Sequence, residues 1–362
     1  MQEIQISIIK TPEQWHLLKP QWNLLLESSR SGTCFLTFQW LKAWSECFMN
    51  KNDKLYIITF HEKDSLIGAA PFYIHKKKHG PITARELKFI GTPQAGSDYL
   101  DVIIKKSRET KVANALYGHL IKKGSADWDI LSLHDIPSAS LFLLHFLNRI
   151  EKEGKYVEIT PGAYCPVTKI NGSFDDYFSN LSKWRKKKFK QDFRIIHRDQ
   201  NVRHVVGTGK QAKGRLSEFF EFYNKKSNWP GEKLQQMLNR YIEHCESEPP
   251  VQIDLLQVNG KTVAGLLHLK HKNALAMYLM VIDKDFNPKL SLGNLLVGMC
   301  IENATMEGYT IYDFLKGDET YKFHWANEGK RSINLKFYNK NPAGITLGLT
   351  KTTKNAAKLL LR

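Results

Sequence analysis

The sequence predicts an α/β protein built from two similar domains in tandem. A hairpin-like segment recurs at an offset of 196 residues, and the same order of elements follows each copy. The length agrees, because 362 residues suffice for two domains that each bury a core.

The chain opens with a helical pattern. Thr11-Pro12-Glu13-Gln14 starts a helix through Leu26, with threonine at the cap and proline at the first helical position. Phe38 to Met49 predicts a second helix that buries Trp40 and Trp44 at i, i+4 spacing. Residues 55–74 alternate apolar and polar positions around a polar turn, the pattern of a hairpin. A strand near Tyr99–Ile104, a helix near Arg108–Lys122 and a strand over Trp128–Leu131 follow.

Residues 160–173, rich in Pro, Gly and polar side chains, read as the inter-domain linker. Beyond them Phe174–Leu181 leads into a basic helix, and helices over Leu216–Lys226 and Lys233–Cys245 precede the second hairpin. That hairpin, residues 251–270, carries Asn259-Gly260 as its turn. In the repeat Leu55 matches Val251, Ile57 matches Ile253, Phe60 matches Leu256 and Ile67 matches Val263. Strand Ala274–Ile282, helix Ser291–Glu307 and strand Ile311–Leu315 complete the second copy. The expected domains are residues 1–165 and 166–340, with an amphipathic C-terminal helix over 341–362.

Composition narrows the function. With 42% apolar and 25% charged residues the chain reads as a soluble globular protein. Its longest apolar stretch, Ala274–Ile282, is about half of the ~20 residues a membrane-spanning helix needs. The N-terminus lacks a basic, then apolar, signal segment, so a cytoplasmic location is expected. Five scattered cysteines and thirteen histidines form no C-x-x-C or H-E-x-x-H spacing, which predicts neither a disulfide scaffold nor a metal site. No P-loop and no G-x-S-x-G elbow is present.

The net charge of +17 asks for a polyanionic partner. Lys183 to Arg198, KWRKKKFKQDFRIIHR, holds eight Lys/Arg against one Asp and so supplies +7 of it. A solvated helix face is the plain reading of such a run. The sharper readings are a phosphate-rich donor or acceptor, tRNA among them, or an anionic membrane surface. A non-enzymatic polyanion-binding protein is the reading from another class.

Two segments could carry chemistry. Ser291 caps a helix whose first turn is Leu292-Gly293-Asn294, and unpaired N–H groups at such a start hold phosphate or pyrophosphate. An ordinary strand-to-helix crossover is the plain alternative. Strand 311–315 then opens into Lys316-Gly317-Asp318-Glu319-Thr320-Tyr321-Lys322-Phe323-His324-Trp325. Asp318 is expected as general base and Tyr321 as proton donor to a leaving group. Lys316 and Lys322 are expected to hold anionic groups, and Trp325 either packs in the core or lines the substrate.

Several phrases together resemble a known family. They are Phe35 with Trp40 and Trp44, LIGAAP at 66–71, FIG at 89–91, SDYLD at 97–101, Trp128-Asp129, SKWRKKKFK, LSLGNLL and DFLKGDETYKFHW. In this order they resemble the CelD-like (cellulose and exopolysaccharide biosynthesis) acetyltransferases, which have the GNAT fold, and more distantly the tandem FemABX aminoacyltransferases. The resemblance implies two GNAT-like domains, each a mixed, mainly antiparallel sheet flanked by helices, with a degenerate donor site in the first. It implies acyl transfer from acetyl-CoA or another acyl-CoA to an amine or hydroxyl of a sugar or envelope precursor. Ser291, Leu292, Gly293 and Asn294 would then hold the coenzyme A pyrophosphate, and Asp98 and Tyr99 would help hold the acceptor. The sequence lacks the Q/R-x-x-G-x-G/A loop of the standard acetyl-CoA site. FemABX-type relatives use aminoacyl-tRNA with the same tandem fold.

Overall fold

The computed structural model describes residues 4–122, 126–198, 200–228 and 231–360. The chain forms two units, Met1–Ala163 with Arg331–Arg362, and Tyr164–Lys330.

The first unit begins with β1 (Gln5–Ile9), α1 (Pro12–His16), α2 (Lys19–Glu27) and α3 (Phe38–Phe48). The predicted first helix is two helices. Pro20 lies in the first turn of α2, where its missing N–H costs nothing, whereas inside one longer helix it would break the ladder. The Thr37 hydroxyl accepts the Trp40 N–H at 3.3 Å to cap α3, and Trp40 and Trp44 are buried as expected.

Next come β2 (Asp53–Leu55), β3 (Ile57–Glu62), β4 (Ser65–Ala70), β5 (Phe72–His79), β6 (Ile82–Phe89) and β7 (Ile103–Ile104). The first hairpin is narrower than 55–74. It pairs Ile58 with Ala70 through to Glu62 with Ser65; from Phe72 onward the chain pairs with β6 instead. Pro71 marks the change of partner, having no N–H to continue the ladder. The strand expected near 99–104 shrinks to two residues.

The unit continues with α4 (Glu109–Tyr117), which runs into a π-turn at Gly118–Lys122, then β8 (Ile130–Pro137) and α5 (Leu141–Lys152). Its strands lie in the orders β1-β3-β4-β7 and β2-β5-β6-β8.

The stretch expected to be a linker is mostly strand. β9 (Glu158–Lys169) occupies it, with Cys165, Val167 and Thr168 buried. Its Pro and Gly content masked the apolar and β-branched residues that bury it.

The second unit adds α6 (Phe174–Ser179), α7 (Lys183–His197), β10 (Val202–Thr208), α8 (Ala212–Lys226), α9 (Glu232–Glu243), β11 (Val251–Val258), β12 (Lys261–His271), β13 (Ala274–Ile282), α10 (Leu292–Met306), β14 (Ile311–Asp313) and α11 (Thr320–Trp325). The strand order is β10-β11-β12-β13-β14-β9. Only β13 and β14 among these run parallel, and α10 is the crossover that a parallel pair requires. The Asn259-Gly260 turn has φ of 50° and 77°, the left-handed pair that a two-residue hairpin needs. The α6 and α7 helices are separate because Ser182 caps α7, accepting the Arg185 N–H at 3.2 Å. The chain leaves this unit along β15 (Glu328–Tyr338), pairs with β8 from Ser332 onward, and ends in α12 (Pro342–Leu360). The side chains from residue 352 on, which would make that helix amphipathic, lie outside the described residues.

The core of the second unit is the face of α10 against the sheet. Leu292, Leu295, Leu296, Val297, Cys300, Ile301 and Ala304 are all buried in it. A helix so apolar is committed to burial, which fixes where its N-terminus emerges.

Candidate active site

The start of α10 and the loop after β14 lie in the same unit and are joined by Trp325. Its indole N–H donates to Asn294 Oδ1 at 3.1 Å, and its carbonyl accepts the Thr168 and Tyr177 hydroxyls at 2.8 and 2.6 Å. Phe189 of α7 meets the indole edge-on at 5.8 Å. Gly298 makes room for that contact, since a Cβ there would sit 2.8 Å from Trp325 and closer still to Phe189. Trp325 is therefore wholly buried and packs as core, with no face open to substrate.

The helix start differs from a bare anion cradle. Ser291 is the N-cap residue, but its side chain makes no capping bond. Instead Asp192 of α7, buried beside it, accepts the Ser291 N–H on Oδ2 at 3.4 Å. Lys188 Nζ donates to the other oxygen at 2.8 Å and to the Lys289 carbonyl at 3.0 Å. A carboxylate thus sits where the helix dipole draws negative charge. Gly293 faces the sheet, where a Cβ would come within 3.1 Å of Met280 Sδ. Its lack of a side chain serves packing. Leu292 is buried, and Ser291 and Asn294 are half-buried.

The loop after β14 is held from inside. Asp313 Oδ1 accepts the Leu315 N–H at 2.9 Å while Oδ2 takes Lys330 Nζ at 2.9 Å. Leu315 has φ 55° and Gly317 φ 141°, so the chain turns sharply here. Lys322 is buried; its Nζ donates to the Lys316 carbonyl at 2.8 Å and pairs with Glu319 at 2.9 Å. It braces the loop, and Lys316 stays half-buried. Asp318 is exposed. Tyr321 is half-buried against the core, and burial pushes its phenol well above the usual tyrosine range.

Arg185 lies between two indoles, 5.0 Å from Trp184 and 5.3 Å from Trp325, and touches His324 Nδ1. It is 1% exposed, and its Nε has no hydrogen-bond partner among the described residues. Burial lowers its pKa, while Asp192 offsets part of that. Burial and then Arg185 lower the pKa of His324, favouring the neutral ring. In the sequence Arg185 and Asp192 read as part of a charge run. The only signal that they differ is that Asp192 is the one acid in it.

Outward from these, α7 presents Trp184, Phe193, Lys187, Lys190 and Arg194. A groove of about 710 Å³ runs along it, floored by Phe174, Phe178, Phe189 and Phe193 and edged by Lys190 and Arg194. A cavity of about 780 Å³ belongs to the first unit and takes in Lys10, Lys42, Lys54, Lys76 and Arg85. Asp98 and Tyr99 are buried in that first unit, Tyr99 with φ 55°.

Residues 183–323 match the model of the family described as acetyltransferase (GNAT) domain. The match begins at α7 and ends within α11, so it takes in the α10 start and the loop after β14. No curated protein matches the sequence. Among solved structures, FemX aligns with TM-score 0.59 at 10% identity, over 92% of this chain and 97% of that one. A conserved protein of unknown function from Bacteroides thetaiotaomicron gives 0.53 at 11% identity, over 92% and 100%. L-PGS from Bacillus licheniformis gives 0.51 at 11% identity, over 94% and 96%. At such identities the likeness is one of fold. The GNAT-domain match falls within the second unit, and the likeness of fold to FemX extends over both units. Among the described residues no helix is long and apolar enough to cross a membrane.

Proposed function

We propose that the chain is an acyltransferase that moves an acyl group from an activated donor to an amine or hydroxyl of a sugar or cell-envelope precursor. The GNAT-domain match over residues 183–323 carries this reading, because it falls on the α10 start and the loop after β14 together. The CelD-like resemblance supports a polysaccharide precursor as acceptor and a cytoplasmic site of action, at the inner membrane face where such precursors are made.

The acceptor nitrogen or oxygen attacks the acyl carbon, the bond to the leaving sulfur or oxygen breaks, and one proton passes from acceptor to leaving group. Asp318, exposed on the loop, takes that proton in this reading. Tyr321, kept protonated by burial, can supply one.

The donor divides on one observation. Acyl-CoA, with Ser291, Leu292, Gly293 and Asn294 around its pyrophosphate, would meet the Asp192 carboxylate at the helix start. As arranged, that start does not fit a second anion. Aminoacyl-tRNA requires no pyrophosphate there, and the basic face of α7 suits its backbone. The geometry therefore favours aminoacyl-tRNA as donor over acyl-CoA.

Thermal unfolding with acetyl-CoA, longer acyl-CoAs, free coenzyme A and charged tRNA separates the two. A ligand at ~100 times its Kd adds about 2.7 kcal/mol, a visible rise in Tm. The expected result is a rise with charged tRNA and none with any coenzyme A species. A rise with acyl-CoA reverses the donor assignment, and transfer to no acceptor from either donor removes the enzymatic reading.

A further inference from the structure

A second polar cluster lies under α10, apart from the residues above. His204 on β10, Asp254 on β11 and Cys300 on α10 bring one donor atom each within 4.8 Å of one another. The side chain of Asp254 is wholly buried, Cys300 is buried, and that of His204 is 11% exposed. His204 Nε2 stands 2.9 Å from Asp254 Oδ1 and 4.0 Å from Cys300 Sγ. A tetrahedral zinc ion, about 2.0–2.3 Å from each ligand, needs its ligands roughly 3–4 Å apart.

Each of the two oriented ligands also has an outer partner. His204 Nδ1 is 3.4 Å from the Asn303 carboxamide. The second oxygen of Asp254 accepts Gln252 Nε2 at 3.0 Å and lies 2.9 Å from His268 Nδ1. His268 in turn is fixed at Nε2 by the Tyr312 hydroxyl, 2.7 Å away. Fixing the far side of a ligating imidazole or carboxylate is what outer partners do at metal centres.

We infer that His204, Asp254 and Cys300 form a binding site for a divalent zinc-class cation, with a fourth position open to water beside His204. Nitrogen, oxygen and sulfur together select a borderline-soft ion over calcium or magnesium. The thiol loses its proton to solvent on loading, and thiolate, carboxylate and dication sum to zero charge in a buried place. The ion ties the edge strand β10 to β11 and α10. Asn303 Nδ2 is the atom that faces His204 Nδ1, so on loading the carboxamide flips to offer its oxygen to an Nδ1–H, which leaves Nε2 free to ligate.

The test uses the untagged full chain. Metal analysis after desalting is expected to give about one equivalent of zinc, and a chelator is expected to remove it with a fall in Tm that added zinc restores. Cobalt loading is expected to give a thiolate-to-metal charge-transfer band in the near ultraviolet. Cys300→Ala, nearly neutral for packing, is expected to abolish the band and the response to chelator. Should Cys300→Ala unfold, Asn303→Leu replaces it, with weakened cobalt retention expected. The inference is overturned if the wild type holds no zinc and its Tm ignores both zinc and chelator, or if cobalt binds without a thiolate band.

Discussion

Asp101 in the first unit and Asp192 in the second are each 1% exposed, and each stands at the start of a helix. Asp192 meets the α10 start directly and has Lys188 on its other oxygen. Asp101 reaches α5 through Ser140, whose hydroxyl donates to it at 2.9 Å and itself accepts the Leu143 N–H. Ser31 and the Val102 N–H complete the shell of Asp101 at 2.8 Å each, with no cation among the described residues. Burial then pushes Asp101 up to about 6, and those hydrogen bonds offset part of the rise. The contrast shows what a cation does for a buried acid. Lys188 gives Asp192 an ion-pair partner at the helix start, whereas Asp101 has only hydrogen bonds to offset its burial, and its pKa rises.

The sharpest way to break the contrast is to remove the charge that is paired. Asp192→Ala leaves the Ser291 N–H without its acceptor, and Lys188 with the Lys289 carbonyl but no counter-charge. Lys188 is 23% exposed along its side chain and can turn to water, so the expected loss is about 2–3 kcal/mol rather than more. Urea unfolding measures it. A loss below about 0.5 kcal/mol would mean that other groups hold the start of α10.

Asp101→Asn should act in the opposite direction. The native carboxyl titrates near 6 against 3.8 for the ordinary group, so the folded state binds its proton more tightly. Wild-type stability is therefore penalised above the native value, and the penalty fades as pH falls from about 6 toward 3.8. The shift is worth ~3 kcal/mol at pH 7, and imperfect hydrogen bonding by the amide leaves an expected gain of about 1–2. Tm measured at pH 7 and pH 4 should show the gain only at the higher pH. A gain of equal size at both would place its origin outside the ionisation.

The duplication was legible because hairpin periodicity and turn chemistry are local. Asn259-Gly260 and the β13–α10–β14 order needed nothing beyond neighbours in the chain. The first hairpin was overextended because alternation continues through Pro71 into β5, and only pairing reveals the change of partner. The tail of the site was legible as a polar cluster, yet Lys322 reads alike in sequence whether it reaches for a ligand or for the Lys316 carbonyl. Asp192 and Arg185 were hidden for the same reason, since seven-residue spacing on α7 turns both inward against α10 and Trp325. His204, Asp254 and Cys300 stand about fifty residues apart, and no local pattern can bring them together.

The same helix supplies the mildest test, because α7 has charges used inward and charges left outward. Lys188 belongs to the first kind, and Lys183, Lys187 and Arg194 are exposed with no ion pair among the described residues. Replacing those three with alanine should change stability by no more than about 0.5 kcal/mol each. Binding of tRNA, followed against salt, should lose roughly 0.7–0.9 in the slope of log K against log salt for each phosphate contact removed. A large fall in stability would show that these cations serve the fold as Lys188 does. An unchanged slope would make the outer face of α7 a solvated surface, and the anionic partner would then have to be sought in the first unit, where Lys10, Lys42, Lys54, Lys76 and Arg85 share one cavity.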